Sequence, residues 1–293
     1  MLLKNDFVKL IVCPDDGTTI ALRDSFLECP KCSRKYPILG NNFVEILPSD
    51  FPDWSLKEND PKKAEKFYSQ EFERSFSWNV QRGGWGDLSN ASPGLRSFYK
   101  AEIEKALQLL NPSDNSIIVD VSGAVGNYAI FLANKVKMVI NCDLHIPSII
   151  IAYERKKDNM ICVRTPYLKL PFVSNSFDYI ICTDTLIRGW NHEVKLLKEI
   201  SRIIKIGGRA FVDFHNLKWF RKNRNICAYK VGSIRKLLHE AGIKQYTLYP
   251  FGYVPTKLAF KEFLYPYLDS LFKFLLPLKR YIVVFIKEQD NNV

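Results

Sequence analysis

At 293 residues the chain can hold one large domain with a small appendage, and 47% hydrophobic with 25% charged residues is an ordinary globular composition. No apolar run reaches the ~18–20 residues that span a bilayer, and Lys4, Asp6 and Lys9 interrupt residues 1–12, so neither a membrane span nor a secretory leader is expected. The net charge of +11 is concentrated: residues 215–288 hold fourteen Lys/Arg against four Asp/Glu, whereas residues 1–50 hold six against seven.

Such an excess draws anions (phosphates, nucleic acid or an acidic membrane surface) unless it is simply a solvated basic face. Seven cysteines, an odd number, lie scattered and mostly within apolar strand patterns, which points to reduced thiols and a cytoplasmic protein, peripheral to a membrane at most.

In chain order, residues 1–48 read as a β-ribbon domain. Cys13-Pro14-Asp15-Asp16-Gly17 is followed by Cys29-Pro30-Lys31-Cys32, then Tyr36-Pro37-Ile38 and Val44-Glu45-Ile46-Leu47-Pro48. Two knuckles at this separation fit a tetrahedral zinc site on short hairpins, with Cys13, Asp16, Cys29 and Cys32 as ligands and one structural zinc expected. The arrangement resembles the small zinc-ribbon domains beside some methyltransferases and the small activator proteins of tRNA methyltransferases. Asp16 stands where the fourth cysteine would be, so a ribbon that has lost its metal and stands on its β-core is the alternative.

Residues 49–96 read as a linker with lid helices, punctuated by Pro52, Pro61 and Gly83-Gly84-Trp85-Gly86. Tyr68, Trp78 and Trp85 either line a pocket or pack the lid down. An amphipathic helix is predicted over 97–110. Strands are then predicted near 117–121, 138–142, 160–163, 177–182 and 208–214, alternating with helices near 127–134, 147–156, 192–204 and 233–241, the last closing at Gly242. A final strand pair falls at 244–249 and 281–287. Alternation of this kind gives an α/β fold: a Rossmann-like, doubly wound, mostly parallel seven-stranded sheet over residues 97–288. A helical, aromatic and basic insertion over 251–280 caps the acceptor pocket, lies on a membrane surface or packs as an ordinary insertion.

Residues 116–143, SIIVDVSGAVGNYAIFLANKVKMVINCD, carry the densest signal. An apolar strand ends in Asp120, a small-residue turn follows, a helix begins, and a second strand closes on Asp143. Small side chains let backbone N–H groups approach a ligand, and a carboxylate after the second strand accepts both hydroxyls of a ribose. IIVDVSGAVGNYA, LPFVSNSFDYIICTDTLIRGW and LLKEISRIIKIGGRAFVDF together resemble, in order and spacing, the motifs of class I S-adenosylmethionine-dependent methyltransferases of the type 11 kind.

That resemblance implies S-adenosylmethionine as cofactor and a residue map. Asp120 orders the loop; Ser122, Gly123, Ala124 and Gly126 pass beneath the cofactor; Asp143 takes the ribose and Leu144 the adenine. Tyr167 and Leu168 fall near the adenine, Thr183 near the cofactor, and Asp184, Arg188 and His192 are the candidate catalytic positions. His215 is a further possible base. Three departures stand out: Ser122 and Ala124 replace glycines, Pro166 replaces an acid, and Arg188 replaces a histidine. Arg188 suggests an anionic acceptor. The expected reaction is O- or N-methylation of a small or glycan- or lipid-linked metabolite. The alternatives are an RNA methyltransferase using the ribbon and the basic C-terminal half, disfavoured by the absence of an Asn-Pro-Pro-Tyr-like motif, and a non-catalytic binding protein of the same fold.

Overall fold

The computed structural model describes residues 5–24, 26–40, 42–51, 88, 91–186, 192–220, 227–254, 263–273 and 278–289. Arg188 and the aromatics Tyr68, Trp78 and Trp85 lie outside these residues, as does most of the expected lid.

The N-terminal part comprises α1 (Asn5–Val8), β1 (Ala21–Leu22), β2 (Phe26–Glu28), β3 (Lys35–Leu39) and β4 (Phe43–Glu45). Then follow α2 (Pro93–Leu110), β5 (Ile117–Val121), α3 (Asn127–Leu132), β6 (Met138–Asp143), α4 (Ile146–Arg155), β7 (Met160–Arg164), β8 (Phe177–Cys182) and α5 (Glu193–Ile203). The chain closes with β9 (Ile204–His215), α6 (Leu217–Phe220), α7 (Val231–Glu240), β10 (Tyr246–Phe251), α8 (Leu264–Phe272) and β11 (Arg280–Ile286).

Local chemistry explains the element ends. Helix α2 starts four residues earlier than its apolar spacing predicts, because Ser92 caps it, accepting from the Leu95 N–H, and a proline opens its first turn. It stops where Asn111 turns left-handed at φ 50°. The strands alternate between two cores. On one face Ile118, Val139, Cys162, Ile181 and Phe211 pack with α2, α3 and α4. On the other Val119, Ile140, Ile161, Ile180 and Val212 pack with α5 and α7. A sheet covered on both faces is what near-continuous apolar strands require.

The sheet runs β1-β2-β3-β4-β7-β6-β5-β8-β9-β11-β10. Pairing is parallel from β4 through β9, and β11 is antiparallel to both β9 and β10. Among the described residues the sheet has eleven strands: residues 97–288 supply the seven expected there, β5 to β11, and four more are added. The extra four come from the N-terminal segment, which does not stand apart: β4 adds to the edge of β7 with Phe43 opposite Cys162 and Glu45 opposite Arg164. Phe7, Ile11, Leu27 and Tyr36 join the same core as Val121 and Ile140.

The junction is locked by charge. Arg164 pairs with Glu45, both side chains under 5% exposed, and its Nε donates to the Leu144 carbonyl at 3.1 Å. One side chain thus ties the added strand to the loop that follows β6. In the basic C-terminal half Lys279 and Arg280 are buried, whereas Lys218, Lys230, Arg235, Lys236, Lys244 and Lys273 are exposed. Among the described residues, no helix is long and apolar enough to cross a membrane.

Removing one partner of a buried ion pair strands the other, at a cost of about 3–5 kcal/mol. Glu45→Ala is expected to lower unfolding free energy by about that amount in denaturant titration. A loss under ~0.5 kcal/mol would show that the pair does not hold the junction.

Candidate active site

Parallel pairing brings the carboxyl ends of β5 to β9 to one edge, where ligands bind in open α/β sheets. The loop after β5 turns sharply there. Ser122, Ala124 and Gly126 have φ of 57°, 46° and 76°. Two of these carry a Cβ in the left-handed region, at about 1–2 kcal/mol each, so the replaced glycines leave strain in the loop. At Gly123 only hydrogen fits, since a Cβ would run into the carboxylate of Asp120 and the amide oxygen of Asn141.

The loop is held from β6. Asp143 Oδ2 accepts from the Ala124 N–H at 2.9 Å and Oδ1 from the His145 N–H at 2.7 Å. Asn141 Nδ2 donates to the Ala124 carbonyl at 3.2 Å. The buried polar atoms unmatched among the described residues include Asp120 Oδ2, Asn141 Oδ1 and Thr165 Oγ1. A buried acceptor without a donor costs about 1–3 kcal/mol. Burial, with the charge of Asp143 adding to it, pushes the Asp120 carboxyl up to about 8. Leu144, Tyr167 and Leu168 are half-buried beside this edge and Thr183 is buried, so the expected cofactor residues gather at one end of the sheet.

Two residues beyond β8, Asp184 has φ 55° and receives three groups. Tyr99 donates to Oδ2 at 2.9 Å, while His215 Nε2 and Arg280 Nη2 lie 2.9 and 3.1 Å from Oδ1. Behind it, Arg280 grips Glu102 through both carboxylate oxygens at 2.9 and 3.1 Å and reaches Asp213 Oδ2 at 2.9 Å. Tyr128 donates to Glu102 at 2.6 Å, and the Asp184 N–H donates to Asp213 Oδ1 at 2.7 Å. Asp184, Asp213 and His215 have ligand atoms close enough together for a metal, but the Arg280 guanidinium forms ion pairs with both acids and is the cation of this cluster.

Three carboxylates facing one guanidinium do not all ionise alike. Burial alone would raise Asp184, yet the Arg280 charge and the His215 bond outweigh it and hold its carboxyl well below the usual range. Burial wins at Asp213, which is pushed up to about 7, and burial also raises Glu102.

Of the candidate catalytic residues, Asp184 lies in this network. His192 stands at the N-cap of α5, half-buried, with Nδ1 unmatched among the described residues, and Arg188 lies outside them. Glu102, Asn141, Asp213 and Arg280 were missed by the sequence reading. A signal existed for Glu102: it falls on the buried stripe of Phe98, Ala106 and Leu110, and an acid on an apolar stripe needs a partner.

In the N-terminal segment, Cys13, Asp16, Cys29 and Cys32 present ligand atoms all within 4.8 Å of one another. The Cys13 and Cys32 sulfurs are 3.8 Å apart, close to the ~3.8 Å that tetrahedral Zn–S bonds of about 2.3 Å produce.

Comparison with known proteins agrees with this geometry. Residues 119–212 match a family described as a methyltransferase domain. The ubiquinone/menaquinone biosynthesis C-methyltransferase UbiE of Zymomonas mobilis is 30% identical over 141 residues, covering 45% of this chain and 56% of that protein. The chain thus spans about half the length of that relative. Among solved structures, the [4+2]-cyclase SpnF superposes with TM-score 0.52 at 13% identity, covering 64% of this chain and 80% of that one. Haemonchus contortus phosphoethanolamine N-methyltransferase 2, in complex with S-adenosyl-L-methionine, gives 0.50 at 16%, covering 64% and 53%.

The raised carboxyls carry a sign. Asp120 and Asp213 are protonated in the folded chain at pH values where an unfolded aspartate, near 3.8, is already ionised. The folded state binds more protons, so stability falls as pH rises from about 4 to about 8, by up to ~1.4 kcal/mol per pH unit from each group. Asp184 acts oppositely, and only below about pH 4. Denaturation midpoints are expected to drop between about pH 5.5 and 8, less steeply in Asp120→Asn. Parallel profiles for variant and parent would contradict this assignment.

Proposed function

We propose that the chain, whose residues 119–212 match a methyltransferase domain, transfers a methyl group from S-adenosylmethionine to a small or lipid- or glycan-linked metabolite. The observation that carries the cofactor reading is the set of unmatched buried acceptors around Gly123. Asn141 Oδ1, and Asp120 once the ligand's positive charge draws off its proton, suit a ligand ammonium, which S-adenosylmethionine brings on its amino-acid end. Asp143 is anchored by the Ala124 and His145 N–H groups and presents its carboxylate to a ribose diol. When bound, the sulfonium supplies an activated methyl group. The chain's own task is then to hold the acceptor in line with it, a contribution of positioning more than of acid–base chemistry.

The acceptor stands near Asp184, at the mouth of the cleft, and its methylated atom is oxygen or nitrogen. The anionic group expected on it rests on Arg188. The reduced thiols, all seven cysteines being free, support a cytoplasmic setting.

S-adenosylhomocysteine is expected to bind with micromolar affinity, about −8 kcal/mol. Asp143→Ala should weaken it by about 1.5–3 kcal/mol, the range for a hydrogen bond involving a charged group. Calorimetry on folded protein with no heat for either cofactor form would overturn the reading.

We also propose that Cys13, Asp16, Cys29 and Cys32 hold one structural zinc. Thr18 N–H donates to Asp16 Oδ1 at 2.9 Å, and that bond outweighs desolvation to hold its carboxyl down to about 2, so it stands ready as an anionic ligand. Elemental analysis should find about one zinc per chain, lost in Cys29→Ser. Metal-free protein with a well-folded N-terminal segment would contradict the proposal.

A further inference from the structure

A carboxylate offers about four lone-pair positions. On Asp184, His215 and Arg280 fill those of Oδ1, and Tyr99 fills one of Oδ2. Among the described residues, one position on Oδ2 is left. The side chain is 29% exposed, whereas those of Glu102, Asp213, His215 and Arg280 are 0%, 1%, 7% and 7% exposed. The network therefore meets the cleft through Asp184. Strand β8 pairs with β5, Ile181 opposite Asp120, which sets Asp184 beside the loop that follows β5. An acceptor waiting for a methyl group from a cofactor on that loop stands against this oxygen.

We infer that Asp184 makes the chain an N-methyltransferase of small amines, the carboxylate accepting an N–H of the acceptor nitrogen; this rests on the methyltransferase reading above. The bond changes explain the selection. The amine lone pair forms the N–C bond as the C–S bond breaks, and the breaking pair stays on sulfur. The products are an ammonium and the neutral thioether, and the ammonium then gives its proton to water. Positive charge thus moves from sulfur to nitrogen, and a fixed carboxylate beside that nitrogen is stronger help in the transition state than before it.

A hydroxyl or a carbon acid meets the reverse. Either must first become an anion, and that anion would form against a carboxylate that Arg280 and His215 keep ionised. Such a carboxylate is also too weak a base to take the proton. The amine reacts as its free base, so weakly basic nitrogens that also carry an N–H, such as anilines, suit the site best, being uncharged near neutral pH without help.

The test uses the full chain with methyl-labelled S-adenosylmethionine and probes of matched size: aniline and 2-phenylethylamine against phenol, 4-hydroxybenzoate and phenylacetate. Label is expected on nitrogen, with kcat/KM at least tenfold above any oxygen acceptor. Asp184→Asn should lower amine turnover about 100-fold while cofactor affinity, which also reports folding, stays within threefold. Label on oxygen or carbon overturns the inference. So does an unlabelled amine set with cofactor bound, or Asp184→Asn with unchanged amine turnover. Failure of the parent chain to bind S-adenosylmethionine at all is a different result, and it removes the methyltransferase reading itself.

Discussion

One guanidinium organises the mouth of the cleft. Arg280 opens the antiparallel strand β11, and from there it bonds Glu102 on α2, Asp213 on β9 and Asp184 after β8. These groups are far apart in the chain and come together only when the sheet is complete. Holding three carboxylates this close is tolerable because the guanidinium is shared, Tyr99 and Tyr128 donate into the cluster, and burial raises the Glu102 and Asp213 carboxyls while Asp184 stays ionised. The Arg280 guanidinium also lies over the Phe98 ring, 4.8 Å from its centroid, which ties the network to the aromatic contact of Phe98 with Tyr265 on α8. Position and charge at Asp184 are thus consequences of tertiary assembly.

The N-terminal segment shows the same dependence on the sheet. Strand β4 is three residues long, too short to stand without neighbours, and it gains them by adding to β7. Its buried Glu45 needs Arg164, and Arg164 in turn fixes the carbonyl of Leu144, next to Asp143. Occupancy of the edge of the sheet and placement of Asp143 are therefore linked through one side chain. A fold shared with a cyclase as well as with methyltransferases leaves function to be argued from such particulars.

How much could be read in advance followed from the range of the interactions. The runs Ile117–Val121 and Phe177–Cys182 are β-branched and apolar, bounded by polar turns, and both fold as parallel strands where the pattern puts them. Gly123 and Asp143 are legible because loop and acid belong to one βαβ unit. By contrast, Glu45–Arg164 and Glu102–Arg280 join residues 119 and 178 positions apart, and no local periodicity records such partners. Asn141 sits inside an apolar strand, where a neutral amide reads as filler until its oxygen is found without a donor.

The central claim is that acceptors at the carboxyl edge of the sheet are arranged for S-adenosylmethionine and for a nitrogen beyond it. A crystal structure of the full chain with S-adenosylhomocysteine tests this most directly. The account predicts ribose hydroxyls within ~3 Å of the Asp143 carboxylate, and the ligand amino group within hydrogen-bond reach of Asp120 or Asn141. It also predicts a thioether sulfur facing Asp184. A ligand bound elsewhere, or with its sulfur turned away from Asp184, would contradict it.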